Sequence, residues 1–299
     1  MHQAMRLLLT VLLVQVLLLG VFAALVATDN VPFVSDDEDA GAARPATVDR
    51  FDSGAAFRLL REQVDVGPRP AGSEASRRLA RRLRRLLPRG RYQTVPGGLR
   101  NVVGVVPGRS RRFVVVGAHY DSKDLPGFVG ANDGASGTAV AVQLARTIRP
   151  HRLRHTLVFV LFDGEESPDD TPDVDFERRG LRGSKVAARR YRDADAMVLL
   201  DFVGDRSLRI PREGLSNAGL WTRLRRAAKR AGVGAAFPAA TQGSILDDHL
   251  PFLQRGVHSI DLIDFDFPCF HKTCDDLSAV SERSVDASGE AVYGLLAGF

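Results

Sequence analysis

Two cysteines, Cys269 and Cys274, are all that the 299 residues contain, which excludes a disulfide framework and a four-cysteine metal site. A single bridge between them is permitted in an oxidising compartment. One Trp and four Tyr leave no aromatic interleaving among the basic residues, and no nucleic-acid motif accompanies the net charge of +5, so nucleic acid is not expected as a partner. No internal repeat is found. The positive excess is Arg on apparent helix faces: in Arg77-Arg78-Leu79-Ala80-Arg81-Arg82-Leu83-Arg84-Arg85-Leu86-Leu87 the four Leu form one stripe and Arg fills most of the rest. Such a face is solvated, or meets anionic lipid.

The one long apolar run is Leu7 to Ala27, interrupted by Thr10, Gln15 and Gly20, with Arg6 before it and Asp29, Asp36, Asp37, Glu38 and Asp39 after it. Its length can span a bilayer, and the positive flank predicts a cytoplasmic N-terminus and an exported C-terminal part. Ala24 to Thr28 offers a poor cleavage site, so a retained signal-anchor is favoured over a cleaved signal peptide, which would leave the protein secreted. The expected organisation is therefore a short tail (1–6), a membrane segment (7–27), an acidic linker with Pro32 and Pro45 (28–46) and one folded domain (47–299). A monomer is expected.

Within the domain, Phe51 to Val64 reads as a helix, Gly67-Pro68-Arg69-Pro70-Ala71-Gly72-Ser73 as a turn, and a second helix runs to about Leu87. Strands are expected at Asn101–Val106, Phe113–Ala118, Leu157–Phe162, Met197–Phe202 and Ser259–Ile263, and helices near 135–149, 180–191, 216–231 and 281–297. This alternation predicts an α/β domain with an open, mostly parallel or mixed central sheet and helices on both faces. In such sheets ligands bind beyond the carboxyl ends of the strands.

Metal-ligand residue types gather where that rule points. His119, Tyr120 and Asp121 follow one strand, Asp163, Gly164, Glu165 and Glu166 a second, and Asp201 follows Val198-Leu199-Leu200. Gly130-Ala131-Asn132-Asp133-Gly134 presents Asp133 before a helix, and His271 lies near the C-terminus. Singly, Asp133 reads as a helix N-cap, each His as a hydrogen-bonded structural residue, and Glu165-Glu166 as a solvated turn. Asp201 needs a partner at the mouth of a buried strand. Jointly, imidazole and carboxylate without thiolate suit Zn²⁺ with positions open for water or substrate, although Co²⁺ or Mn²⁺ would accept the same donors. One of two adjacent glutamates can bind metal while the other acts as general acid or base, and Asp121 can orient the His119 ring from behind. The chemistry reads as metal-assisted attack at a carbonyl.

These residues bear a likeness to a known family. From about Val48 onward the chain resembles metallopeptidase family twenty-eight, the zinc aminopeptidases and their relatives the glutaminyl-peptide cyclotransferases. The likeness rests on six motifs in order: Gly67 to Ser73, Gly117-Ala118-His119-Tyr120-Asp121-Ser122, Gly130 to Gly134, Asp163 to Glu166, Leu200-Asp201 and Asp248-His249-Leu250-Pro251-Phe252. It implies a zinc exopeptidase or phosphorylase/hydrolase-like fold. As an aminopeptidase, the chain is implied to bind two zinc ions, with Asp133 bridging, His119 and Asp201 on one ion, Glu166 and His271 on the other, and Glu165 as base. As a cyclase, it is implied to bind one zinc through Asp133, Glu166 and His271, with Glu165 shuttling a proton and Asp201 and Asp247 positioning the substrate amine.

Three features favour the cyclase branch: an acid at Asp247 where aminopeptidases usually carry Ser, Lys123 completing His-Tyr-Asp-Ser-Lys, and Phe128-Val129 before Gly130. Other positions depart from it. The only Trp is Trp221, Phe270 stands in the substrate pocket position before His271 where animal cyclases have Trp, and Asp261 stands where they have a strand His. The first expectation is therefore an enzyme that converts peptide N-terminal Gln to pyroglutamate with loss of ammonia. A zinc aminopeptidase is the second, and a non-catalytic binding ectodomain the third.

Overall fold

The computed structural model describes residues 45–168 and 175–299, apart from the Arg152 side chain. The expected membrane segment 7–27 and most of the linker lie outside the described residues. Among the described residues no helix is long and apolar enough to cross a membrane.

Six strands form one sheet: β1 (Arg91–Val95), β2 (Leu99–Val106), β3 (Phe113–His119), β4 (Thr156–Phe162), β5 (Ala196–Leu200) and β6 (Ser259–Leu262), in the order β1-β2-β4-β3-β5-β6. Strands β3 to β6 run parallel, while β2 is antiparallel to both β1 and β4. Three of the four parallel strands, β3, β4 and β5, are nearly continuous apolar runs because both of their faces are covered, while β6 (Ser-Ile-Asp-Leu) carries a buried acid. Alternation sorts their side chains: Val114, Val116 and Ala118 enter the larger core and Val115 the smaller one.

The larger core is closed by α1 (Ser53–Asp65), α2 (Glu74–Leu86), α3 (Ala135–Thr147), α6 (Ala218–Arg230) and α8 (Glu282–Leu296); the opposite face by α5 (Arg182–Arg190) and the short α7 (Leu250–Leu253). One further short helix, α4 (Phe176–Arg179), lies before α5. The expected α2 stripe is present: Leu79, Leu83 and Leu87 are buried and Leu86 half-buried. Helix α3 is buried from Ala135 to Ala145. Its small residues permit this, since a Cβ on Gly137 would fall 2.0 Å from the Leu200 carbonyl oxygen.

Two expectations need correction. The strand read as Met197–Phe202 ends at Leu200, because the Asp201 carboxylate accepts the Phe202 amide (2.9 Å) and Phe202 turns into the left-handed region (φ 46°). Strand β1 was not expected at all: five residues of edge strand with one fully buried side chain, Val95, give little periodicity. From β3 the chain passes through α3 to β4 on one side, then crosses back to β5 on the other. His119 therefore sits at the point where strand order reverses.

Candidate metal centre

Three strand ends and two loops converge here. His119 is the last residue of β3, Asp201 follows β5, and Glu165 and Glu166 follow β4 by three and four residues. Asp133 comes from the 130–134 loop. The residue before α3 is Gly134 and no side chain caps that helix, so Asp133 is not spent as an N-cap. Gly134 has φ 82°, and a Cβ there would stand 2.8 Å from the His119 ring. Only glycine allows the loop to bring Asp133 this close to His119.

The donor atoms form two triads that share Asp133. Its Oδ1 lies 3.1 Å from His119 Nε2, which is 3.3 Å from Asp201 Oδ1; its Oδ2 lies 3.6 Å from His271 Nε2, which is 3.6 Å from Glu166 Oε1. Asp133 Oδ2 and Glu166 Oε1 are buried with no hydrogen-bond partner among the described residues. At 3.6 Å from an imidazole nitrogen they are too far to hydrogen-bond but well placed to share a cation. Nitrogen and oxygen donors without thiolate are the set Zn²⁺ accepts in sites that keep open positions. The residues present therefore fit the ion.

Electrostatics agree. Burial, then the charge of Glu166, hold the Glu165 carboxyl well above its usual range; burial, then Asp201 and Asp248, do the same to Asp247. Burial works against protonating His119, yet Asp201, Asp121 and Asp133 raise its ring well above the usual value. The site carries more acid than its own cations neutralise.

The loops are held by residues behind the donors. Asp121 lies 3.8 Å from His119 Nδ1, too long for a hydrogen bond, and its carboxylate accepts the backbone N–H groups of Gly164 (3.0 Å), Glu165 (3.3 Å) and Glu166 (3.2 Å). Its charge still acts on His119, but its contacts shape the glutamate loop. Lys123 lies 3.3 Å from Glu166 Oε2. Two supports escaped the sequence reading. Asp275 accepts the amides of Asn132 (2.7 Å) and Asp133 (3.0 Å). The buried Arg69 donates to the carbonyls of Tyr120, Val129 and Gly130, fastening the segment between the second and third motifs. A charged Arg within Gly-Pro-Arg-Pro, and an acid four residues after His271, were the available signals.

Cys269 and Cys274 are bridged, with Cα atoms 5.4 Å apart, and close a small loop around His271. That residue adopts φ 51°, and Phe270 stacks on its ring at 3.9 Å. A cavity of about 340 Å³ opens onto the centre, with Glu165, Asp201, Asp247 and Phe270 among its walls. Leu246, Phe265 and Phe270 are exposed at this cavity. Trp221 is elsewhere, buried in the core against Phe237.

Comparison with known proteins bears on this arrangement. The model of peptidase family M28 matches residues 101–296. A glutaminyl-peptide cyclotransferase from Drosophila melanogaster is 26% identical over 60% of this chain and 59% of its own length. The chain thus spans less than two thirds of the curated relatives it matches. Among solved structures, a glutaminyl cyclase from Porphyromonas gingivalis superposes with a TM-score of 0.75 at 27% identity, covering 83% of this chain and 99% of that one. A leucine aminopeptidase precursor from Bacteroides thetaiotaomicron gives a TM-score of 0.75 at 25% identity, with 85% and 99% covered.

Proposed function

The chain belongs to peptidase family M28, and from this premise we propose that it is a zinc-dependent enzyme of peptide N-termini that cyclises N-terminal glutamine to pyroglutamate and releases ammonia. The observation that carries this reading is Asp247. It is a buried acid in the cavity wall whose Oδ1 accepts the Asp248 amide, while its Oδ2 has no hydrogen-bond partner among the described residues. Such an oxygen suits an amine, the group that must attack.

Asp133, Glu166 and His271 would hold the ion, which supplies polarisation of the side-chain amide carbonyl when bound. Asp247 and Asp201 orient the substrate α-amine so that its nitrogen faces the Cδ carbon of the same residue. Because nucleophile and electrophile belong to one residue, orientation accounts for much of the rate. The N–Cδ bond forms, the bond from Cδ to the amide nitrogen breaks, and Glu165 carries the proton from the α-amine to the departing ammonia. A Glu165 carboxyl held high by burial is suited to that shuttle. Leu246, Phe265 and Phe270 give an apolar rim for the rest of the peptide.

A second reading has its own support: His119 and Asp201 complete another donor triad on Asp133, as a two-zinc aminopeptidase requires. Mass spectrometry of Gln-initiated and Leu-initiated peptides separates the two. Loss of one ammonia from the Gln peptide alone establishes the cyclase, loss of a whole residue the aminopeptidase, and no change in either leaves a binding domain. One zinc per chain by elemental analysis agrees with the first outcome and two with the second. We further propose that the domain stands outside the cytoplasm, on the anchor expected at 7–27, as a monomer.

A further inference from the structure

A second set of buried charges lies behind the wall that carries Asp247. Asp261, on β6, is fully buried, and neither carboxyl oxygen has a hydrogen-bond partner among the described residues. Burial, then the charges of Asp247, Asp201 and Glu213, push its carboxyl well up. Acids placed together away from water persist only where a cation or a shared proton compensates them.

An imidazole stands against it. His249 is fully buried, with Nδ1 3.6 Å from Asp261 Oδ2 and Nε2 3.2 Å from Glu213 Oε2. The ring thus fills the space between two buried carboxyl groups. Glu213 is well anchored. Its Oε1 accepts the amides of Leu215 (2.8 Å) and Ile245 (3.0 Å), and its Oε2 accepts the Ser216 hydroxyl (3.0 Å). That hydroxyl oxygen in turn accepts the Asp261 amide (2.9 Å). Despite burial, His249 and these amides hold the Glu213 carboxyl down to about 2. The Ile245 amide belongs to the segment Ser244–Asp247 that lines the cavity. Glu213 therefore grips the wall at Ile245, and through His249 it reaches the acid behind that wall.

We propose that His249, carried by Glu213, is a positioning residue: Glu213 takes the Ile245 amide and meets the His249 ring, gripping the chain on both sides of Asp247, and His249 stands in turn against Asp261, so that Asp247 is fixed toward the substrate amine. The proposal rests on the reading above only in assigning Asp247 to the amine. It gives a role to Asp261, the acid in the strand position where the cyclases have His.

The test is a double-mutant cycle on the full chain with His249→Gln, Asp261→Asn and the pair, reading Tm and kcat/KM on a Gln-initiated peptide. His249→Gln removes the ring that stands between Glu213 and Asp261 and is expected to lower both. Adding Asp261→Asn is expected to return both toward wild type, with a coupling of roughly tenfold or more in kcat/KM, as for neighbouring buried groups. Bound zinc should stay unchanged, and in an Asp247→Asn background the effect of His249→Gln on kcat/KM should vanish. If His249→Gln alone does not fold, Asp261→Asn in the same chain should restore folding. Additive penalties, loss of zinc, or no rescue overturn the proposal. Inactivity of the wild type on every Gln peptide would sink the cyclase reading instead, while the Tm cycle would still decide whether His249 and Asp261 are coupled.

Discussion

The two halves of the metal centre are built by different means. His119 and Asp201 stand at the ends of adjacent parallel strands, so the β3 and β5 ladders and α3, pressed against β5 at Gly137, fix them. His271, Glu166 and Asp133 stand on loops, and their positions depend on polar clamps: Asp121 under the glutamate loop, Asp275 under Asp133, and the bridge around His271. A strand end receives its precision from the sheet, whereas a loop ligand needs a second set of residues to hold it. Damage behind the donors should therefore fall on the loop half and spare the strand half.

The largest effect is expected where the halves meet. Glu165→Gln should reduce turnover by about 10²- to 10⁴-fold, the usual worth of a proton-transferring group, with zinc content unchanged. A fall in zinc would instead make Glu165 a ligand. Asp275→Ala touches no donor atom, yet should weaken zinc binding by about 10- to 100-fold, as loss of an outer support commonly does. Chelator competition would show it, and the matching test is that an Ala in the strand half's core, Val198→Ala on β5, lowers Tm without moving zinc affinity. Reducing the Cys269–Cys274 bridge opens a loop of sequence separation 5, worth about 2 kcal/mol on the chain-entropy account. Calorimetry with and without reductant measures it, and an unchanged Tm would mean that the bridge does not hold the loop. The smallest effect lies outside both halves. Asp286, half-buried on α8, is pushed up to about 6 by burial and by Glu290. Its native form keeps a proton that the unfolded chain has released, so stability should fall as pH rises from about 4 to about 6 and level off above. Asp286→Asn should flatten that slope by about 1 kcal/mol or less, because solvent screens the group.

The same division governs what could be read beforehand. Donors at strand ends announce themselves best, since an acid closing a buried apolar run, as Asp201 closes Val198-Leu199-Leu200, has few structural excuses. The parallel strands and long helices were legible from periodicity, whereas for Cys269 and Cys274 the sequence only permitted a bridge. Asp275, Glu213 and the carbonyl contacts of Arg69 were not, because their worth depends on which amides the fold delivers to them. Asp275 meets Asn132 and Asp133 across more than 140 positions. Strand β1 was missed for a humbler reason: Arg91-Tyr92-Gln93-Thr94 is polar, although Pro96-Gly97-Gly98, with both glycines at positive φ, marked the hairpin that returns it to β2.

Asp133 turns one oxygen toward each imidazole. A cation captured at the first oxygen draws electron density out of the shared carboxylate and leaves the second oxygen a poorer donor, while its own charge repels a newcomer. Filling should thus be anti-cooperative, with two separated steps in a metal titration. On the two-zinc reading the second ion would therefore enter only at higher free metal, so the zinc count separates the two readings when it is taken at saturating metal.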